Sequence, residues 1–310
     1  MKTITVVSGC YNEEENLEEL LRRIRAVADQ FPQYAWEFLV IDNHSTDGSV
    51  DVLRRLAAAD RRLRVIVNAR NFGHIRSPYH GLLQARGDAV VFLASDLQDP
   101  PEIVAQFIPL WEQGCKVVAA IKNKSEESPL FFLARKTYYR IVSRLADVDL
   151  LQNFTGFGLY DQAVIEQMRL SEDPYPYFRG QISEFGFSVQ RVSFVQPLRR
   201  RGFSKNNFYT LYDIAMLGFT NHTKIPLRLA TMAGFAMAVA CFVASLAYLI
   251  YKLLNWSAFS LGTAPVVVGL FFIGSVQLFF IGVLGEYIGA IHTKVTKRPL
   301  VVEQERINFP

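Results

Sequence analysis

The rhythm of apolar and polar positions divides this chain into three stretches. Up to Ile121, short apolar runs rich in β-branched residues recur at Ile4–Val7, Phe38–Ile41, Val65–Val67, Val90–Leu93 and Val117–Ile121. Helical patterns separate them, at Asn16–Ala28, Val50–Ala59, Pro78–Arg86 and Ile103–Trp111. Alternation of this kind predicts βαβ units and a mostly parallel sheet. From Pro129 to Asn221 the pattern loosens. A helix is expected over Phe131–Ala146, an irregular glycine-rich passage over Asn153–Gly158 and a helix over Asp161–Met168. Asn206–Phe219 reads as an amphipathic helix at a membrane surface, with Phe208, Leu211, Tyr212, Ala215 and Phe219 on one face. The third stretch holds Leu227–Leu254 and Ala264–Ile291, both nearly free of charge. Each exceeds the ~20 residues that span a bilayer core, and together they read as a transmembrane hairpin. The expected division is a soluble domain at 1–205, the juxtamembrane helix at 206–224, two transmembrane helices at 225–292 and a tail at 293–310.

Charge gives the hairpin an orientation. Arg199, Arg200, Arg201, Lys205, Lys224 and Arg228 precede it and Lys294, Lys297 and Arg298 follow it, whereas the connecting loop offers at most Lys252. The positive-inside rule then puts both ends, and the soluble domain, on the cytoplasmic side of an inner (plasma) membrane. No signal peptide is expected, because Met1–Ile4 enters a strand at once. The net charge of +4 is modest, and its clustering beside the hairpin suits anionic lipid or phosphate rather than nucleic acid. Cys10, Cys115 and Cys241 match no metal spacing and fit a reducing compartment. Gly234, Gly269, Gly274, Gly282, Gly285 and Gly289 would allow close helix packing and a homo-oligomer.

Candidate chemistry gathers at the strand ends, where parallel sheets bind ligands: Tyr11-Asn12-Glu13, Asp42-Asn43 and Asp96-Leu97-Gln98. In the stretch ASDLQDPPE, Asp99 reads as a helix N-cap, followed by proline at the first helical position and an acid in the first turn. If the chain stays extended past Leu93, Asp96 and Gln98 point to one side. A carboxylate and an amide oxygen so placed suit Mg²⁺ or Mn²⁺. A polar turn capped by the Asp explains the same residues equally well.

The motifs YNEEENL (Tyr11–Leu17), VIDNHSTDGS (Val40–Ser49), RNFG (Arg70–Gly73), ARGD (Ala85–Asp88) and SDLQDPPE (Ser95–Glu102) resemble those of family 2 glycosyltransferases with the GT-A fold. LQDPPE, FRG at Phe178–Gly180, R-x-G-x-S-K at Arg200–Lys205 and the hairpin resemble, more narrowly, polyprenyl-phosphate glycosyltransferases. That group includes dolichyl-phosphate mannose synthases and bactoprenol glucosyltransferases. The resemblance implies an α/β, GT-A Rossmann-like, mostly parallel sheet followed by a two-helix transmembrane hairpin. It implies a metal-dependent inverting transfer from a nucleotide-sugar donor to polyprenyl (undecaprenyl or dolichyl) phosphate at the cytosolic membrane face. The product would serve cell-envelope glycan or lipid modification.

By the same resemblance Tyr11 and Glu13 lie against the nucleoside, Asp42 accepts a hydrogen bond from the base, and Asp96 and Gln98 hold Mg²⁺ or Mn²⁺ on the diphosphate. Arg135, Lys136, Arg200, Arg201 and Lys205 are the candidate cradle for the lipid phosphate. Catalysis is expected from Asp96, Arg135, Arg200 and Lys205. A packed ring for Tyr11 and a turn-forming Asp42 remain open readings. Tyr175, Tyr177, His74 and Arg76 are candidates to shape the sugar pocket. Two positions depart from the family pattern, Ala94 and Gly156, each standing where an Asp is common. They suit an alternative, a weakly active or non-catalytic paralogue that scaffolds a membrane glycosylation complex. A transferase with another lipid acceptor is a further alternative.

Overall fold

The computed structural model describes residues 1–122, 151, 153–197, 225–254, 264–296 and 298–309. Arg135, Lys136, Arg200, Arg201 and Lys205, and the helices expected over Phe131–Ala146 and Asn206–Phe219, lie outside the described residues.

The elements of the sheet domain, in chain order, are β1 (Thr3–Cys10), α1 (Glu14–Ala28), β2 (Ala35–Asp42), α2 (Ser49–Ala59), β3 (Leu63–Asn68), α3 (Gly73–Gln84) and β4 (Ala89–Ala94). A 3₁₀ turn at Pro101–Ile103 leads into α4 (Val104–Glu112), then β5 (Val117–Lys122), β6 (Phe154–Asp161), α5 (Gln162–Ser171), α6 (Phe178–Glu184) and β7 (Val189–Phe194). Two long helices, α7 (Ile225–Leu254) and α8 (Ala264–Val295), precede β8 (Glu303–Ile307).

The strands form one sheet in the order β7-β5-β6-β4-β1-β2-β3-β8. β1 is parallel to β2 and β4, β2 to β3, and β5 to β7. β6 is antiparallel to β4 and β5, and β8 to β3.

The period of two along each strand splits the core into two layers. Ile4, Val6, Phe38 and Val40 pack with Leu17, Leu20, Leu21 and Ile24 of α1, Leu53 of α2 and Phe107 and Ile108 of α4. Val7, Leu39, Ile41 and Ile66 pack on the opposite side with Tyr79 and Leu82 of α3 and Val164, Ile165 and Met168 of α5. The α1 stripe recurs at helical spacing, with Glu14 and Glu15 at its start and Arg25 near its end complementing the helix dipole.

Local reading and structure differ at four elements. The passage Asn153–Gly158, expected to be irregular, opens strand β6, whose pairing with both neighbours overrides its glycine content. β7 lies between the helices expected over Asp161–Met168 and Asn206–Phe219, where no element is expected, and β8 lies within the expected tail. Pro78 does not begin α3 but sits inside it. It packs on β1 at Gly9, where a Cβ would come within 3.0 Å of Pro78 Cγ. That close approach sets α3 against the strand that leads to the site.

Residues Asp213–Thr293 form a second compact unit. At 1.5 Å per residue, the 30 residues of α7 and 32 of α8 reach about 45 and 48 Å, beyond the ~30 Å of a bilayer core. Phe272–Val295 is long and apolar enough to cross a membrane, with mean hydropathy 1.5, and Leu227–Met237 is a shorter apolar helical stretch. The chain then returns to the sheet domain. The Ala69 N–H donates to Val302 O (2.9 Å), and Asn308 Nδ2 donates to Ala57 O (2.7 Å) and Leu63 O (2.9 Å). His80 pairs with Glu303 at 2.6 Å and Arg54 with Glu305 at 2.7 Å.

Candidate active site

The chain steps outward from β1 through β2 to β3, then crosses back through α3 so that β4 pairs with the other side of β1. At such a switch point the loops leaving two adjacent parallel strands diverge and open a crevice at their carboxyl ends. The register places Gly9 opposite Ala94, and Ser95 Oγ donates to Gly9 O at 2.7 Å. The loops Tyr11–Glu13 and Ser95–Gln98 therefore leave the sheet side by side.

A lattice of small polar side chains fixes the first loop to the loop after β2. Asn12 has φ +56, a left-handed conformation that Asn tolerates better than most residues. Its N–H donates to Ser45 Oγ (2.8 Å), its Nδ2 to Thr46 Oγ1 (3.1 Å), and its Oδ1 accepts from Thr46 N (2.7 Å). The Glu13 N–H donates to Ser49 Oγ (3.0 Å), and its carboxylate accepts from Asn16 Nδ2 (2.6 Å). Tyr11 and Glu13 are half-buried at this edge.

Asp42 is fully buried. Its two oxygens accept from Ser45 N (2.9 Å) and Ser45 Oγ (2.5 Å), so in this structure it forms the turn after β2. Next to it, buried Asn43 donates through Nδ2 to Asn71 Oδ1 (2.9 Å) and Gly73 O (3.2 Å), and its Oδ1 accepts from Phe72 N (2.9 Å) and Asn68 Nδ2 (3.2 Å). These bonds tie the ends of β2 and β3 to the start of α3. Cys10 is held as a neutral thiol: burial pushes its pKa up, and the Asp42 charge adds to the effect.

The loop after β4 differs from its sequence reading in two respects. The chain is not extended past Ala94: Leu97 has φ +60, and the Gln98 N–H donates to Asp96 Oδ1 at 3.1 Å. A tight turn, rather than strand alternation, gathers Asp96 and Gln98, both half-buried. Asp99 caps no helix. Its Oδ2 accepts from Ala94 N at 3.0 Å, closing the loop on itself, and Pro100 precedes the 3₁₀ turn. Burial pushes the Asp99 carboxyl up to about 7, with the Asp96 charge adding to the shift and the Ala94 N–H and Lys122 opposing it. Asp96 and Gln98 offer oxygen donors of the kind a hard divalent cation takes when water and substrate phosphates complete its shell. Among the described residues no three His, Cys, Asp or Glu side chains form a metal-binding group.

Gly156 has a backbone cause. Its φ is +103, and a Cβ there would lie 3.2 Å from Phe178 Cε1 and 3.5 Å from Phe92 Cε1. Phe178, from the FRG motif, stands edge-on to Tyr160 (5.3 Å), Phe92 (6.1 Å) and Tyr79 (6.4 Å). The motif thus braces β4 and β6 beneath the loops, and Arg179 donates to Phe154 O at 3.3 Å. His74 and Arg76 sit at the start of α3, at the carboxyl end of β3. The supporting residues Asn12, Ser45, Thr46, Ser49 and Ser95 lie within the quoted motifs, but nothing in the sequence gives their hydrogen-bond partners.

A family model for Glycosyl transferase family 2 matches residues 5–169, and one for the GtrB C-terminal hairpin matches residues 225–291. The uncharacterized glycosyltransferase YkcC of Bacillus subtilis (strain 168) is 33% identical over 302 residues, which cover 97% of this chain and 93% of that protein. The SfII prophage-derived bactoprenol glucosyl transferase of Shigella flexneri is 32% identical over 299 residues, 96% of either chain. Among solved structures, a mannosyltransferase from Pyrobaculum calidifontis in complex with GDP-Man and Mn²⁺ aligns with TM-score 0.46 and 17% identity, covering 95% of this chain and 87% of its own. With more than half of its length matched by the family and relatives alike along nearly all of it, this chain belongs to glycosyl transferase family 2 and carries a GtrB C-terminal hairpin.

Proposed function

We propose that this protein transfers a sugar from a nucleotide-sugar to polyprenyl phosphate at the cytosolic face of a membrane, releasing a nucleoside diphosphate. The observation that carries this reading is the meeting of the Tyr11–Glu13 and Ser95–Gln98 loops at the β1/β4 switch point. Relatives named bactoprenol glucosyl transferase, about as long as this chain, support the acceptor class. The topology has its own support. The segments before and after the helical unit belong to one sheet domain, so a chain that crosses the bilayer through α7 must return through α8. This favours a multi-pass protein with its catalytic domain, residues 1–205, on the side where basic residues flank the hairpin.

In this mechanism Tyr11 and Glu13 line the nucleoside side of the crevice, and Asp42 sets the turn on which that loop rests. Asp96 and Gln98 are the residues that would hold Mg²⁺ or Mn²⁺. When bound, the cation supplies positive charge against the departing diphosphate. A phosphate oxygen of the lipid forms a bond to the anomeric carbon as the bond from that carbon to the β-phosphate oxygen breaks, and the anomeric configuration inverts. The lipid monophosphate has a second pKa near ~6, by analogy with phosphorylated side chains. Its nucleophile is therefore ionised at cytosolic pH, and positioning matters more than a general base. Arg135, Arg200 and Lys205 remain the proposed cradle for that phosphate. Because the φ of Gly156 and the Phe178 ring explain the glycine, that position lends no weight to a non-catalytic scaffold.

The test is nucleoside diphosphate release by the full chain in detergent, over a panel of nucleotide-sugars, with undecaprenyl phosphate or diacylglycerol as acceptor. Release stimulated by undecaprenyl phosphate alone is expected. Stimulation by diacylglycerol alone would transfer the assignment to another lipid acceptor.

A further inference from the structure

Most arginines of the sheet domain meet carboxylates, as in Arg23–Glu102 (2.6 Å), Arg25–Asp60 (3.1 Å), Arg62–Asp60 (3.0 Å) and Arg64–Glu37 (2.9 Å). Three at one corner do not. The Arg70 and Arg76 guanidiniums lie 4.0 and 5.4 Å from the centre of the same ring, that of Phe72. Arg76 donates to the Pro299 carbonyl, which brings the exposed Arg298 into the same corner. Burial holds the Arg76 pKa below the usual value, and the charges of Arg70 and Arg298 add to the effect while Tyr175 opposes it. Arg76 Nε is buried and has no hydrogen-bond partner. Among the described residues none of the three guanidiniums forms an ion pair, and Asp173 faces Lys294 at 3.9 Å.

Two like charges on one ring, with a third close enough for Arg76 to feel its charge, repel each other, and their fork geometry matches a phosphate. The N-terminus of α3, twelve residues long with no acid in its first turn, adds its positive end at the same place. Arg298 closely follows the apolar span Phe272–Val295, so it joins the corner to the segment that leaves the bilayer, where lipid phosphates lie.

We propose that Arg70, Arg76 and Arg298 form a phosphate-binding site that takes the phosphate group of a membrane lipid, separate from the Tyr11 and Asp96 loops. The site requires no nucleotide-sugar, so it stands or falls independently of sugar transfer. Its shared chemistry is a phosphate group, and the test separates a lipid from a free ion.

Full-length protein in uncharged detergent at about 0.15 M salt is titrated calorimetrically with dioctanoyl phosphatidic acid, undecaprenyl phosphate or inorganic phosphate. The proteins compared are wild type, Arg76→Gln, Arg298→Gln and the control Arg191→Gln on the exposed edge of β7. Arg298 is exposed, so its substitution keeps the fold even if Arg76→Gln does not. Loss of one charge-assisted contact is expected to weaken binding of one or both lipid phosphates about tenfold or more in Arg298→Gln, with no such change in Arg191→Gln. Equal weakening in Arg191→Gln, unchanged lipid binding in Arg298→Gln, or an effect confined to inorganic phosphate would each overturn the proposal.

Discussion

Asp99 is buried beneath the loop that carries Asp96 and Gln98, and its carboxyl sits at about 7 rather than the ordinary 3.8. Between those values the unfolded chain has released the proton and the folded one still holds it. Stability therefore falls as pH rises from about 4 to about 7, and is flat above. At about 1.4 kcal/mol per pH unit, the whole interval amounts to about 4 kcal/mol. Asp99→Asn keeps an oxygen for the Ala94 N–H and never ionises. It should match wild type within about 1 kcal/mol at pH 4.5 and exceed it by about 4 kcal/mol at pH 8. For a domain of this size that is about 8–16 °C in Tm. The assay is thermal unfolding of the full chain in detergent with a chelator present, followed by circular dichroism at both pH values. A difference between the two proteins that does not change with pH would refute the burial argument, because every other titrating group is common to both.

Gly156→Ala and Gly156→Asp should each lower stability by about 1–3 kcal/mol through backbone strain alone, measured as a drop in Tm. An unchanged Tm in both would remove the backbone explanation for this glycine. Asp96→Ala should cut nucleoside diphosphate release more than about a hundredfold, the size expected for losing a metal's charge stabilisation. Gln98→Ala should cost less, because an amide oxygen carries no full charge. Added Mn²⁺ should partly rescue Gln98→Ala, and release by Asp96→Ala at wild-type rate would argue against the metal role. Asn308→Ala strands the carbonyls of Ala57 and Leu63 and should destabilise the sheet domain by about 1–3 kcal/mol. Wild-type denaturant resistance would mean that β8 adds little.

The parallel half of the sheet was legible because buried strands such as Val90–Leu93 and amphipathic helices such as α1 carry their periodicity locally. β6 and β8 were not, because glycines in one and charged residues in the other disguise strands that only pairing with distant partners creates. At the site, strand ends marked Tyr11, Asp42 and Asp96 correctly as neighbours at one edge. Local propensity misread Asp99: a following proline signals an N-cap, whereas the left-handed Leu97 turns the carboxylate back toward Ala94. The arginines were named in the sequence but not as a cluster, since Arg298 is more than two hundred residues from Arg70 and Arg76 and it takes the β3/β8 pairing and the Arg76 bond to the Pro299 carbonyl to unite them.

The most direct measurement is mass spectrometry of the organic phase after the full chain is incubated with undecaprenyl phosphate, Mn²⁺ and the nucleotide-sugar that gives the strongest release. One sugar added to undecaprenyl phosphate, absent with Asp96→Ala, is the expected result. Nucleoside diphosphate release with free sugar in the aqueous phase and no glycosylated lipid would contradict transfer to polyprenyl phosphate.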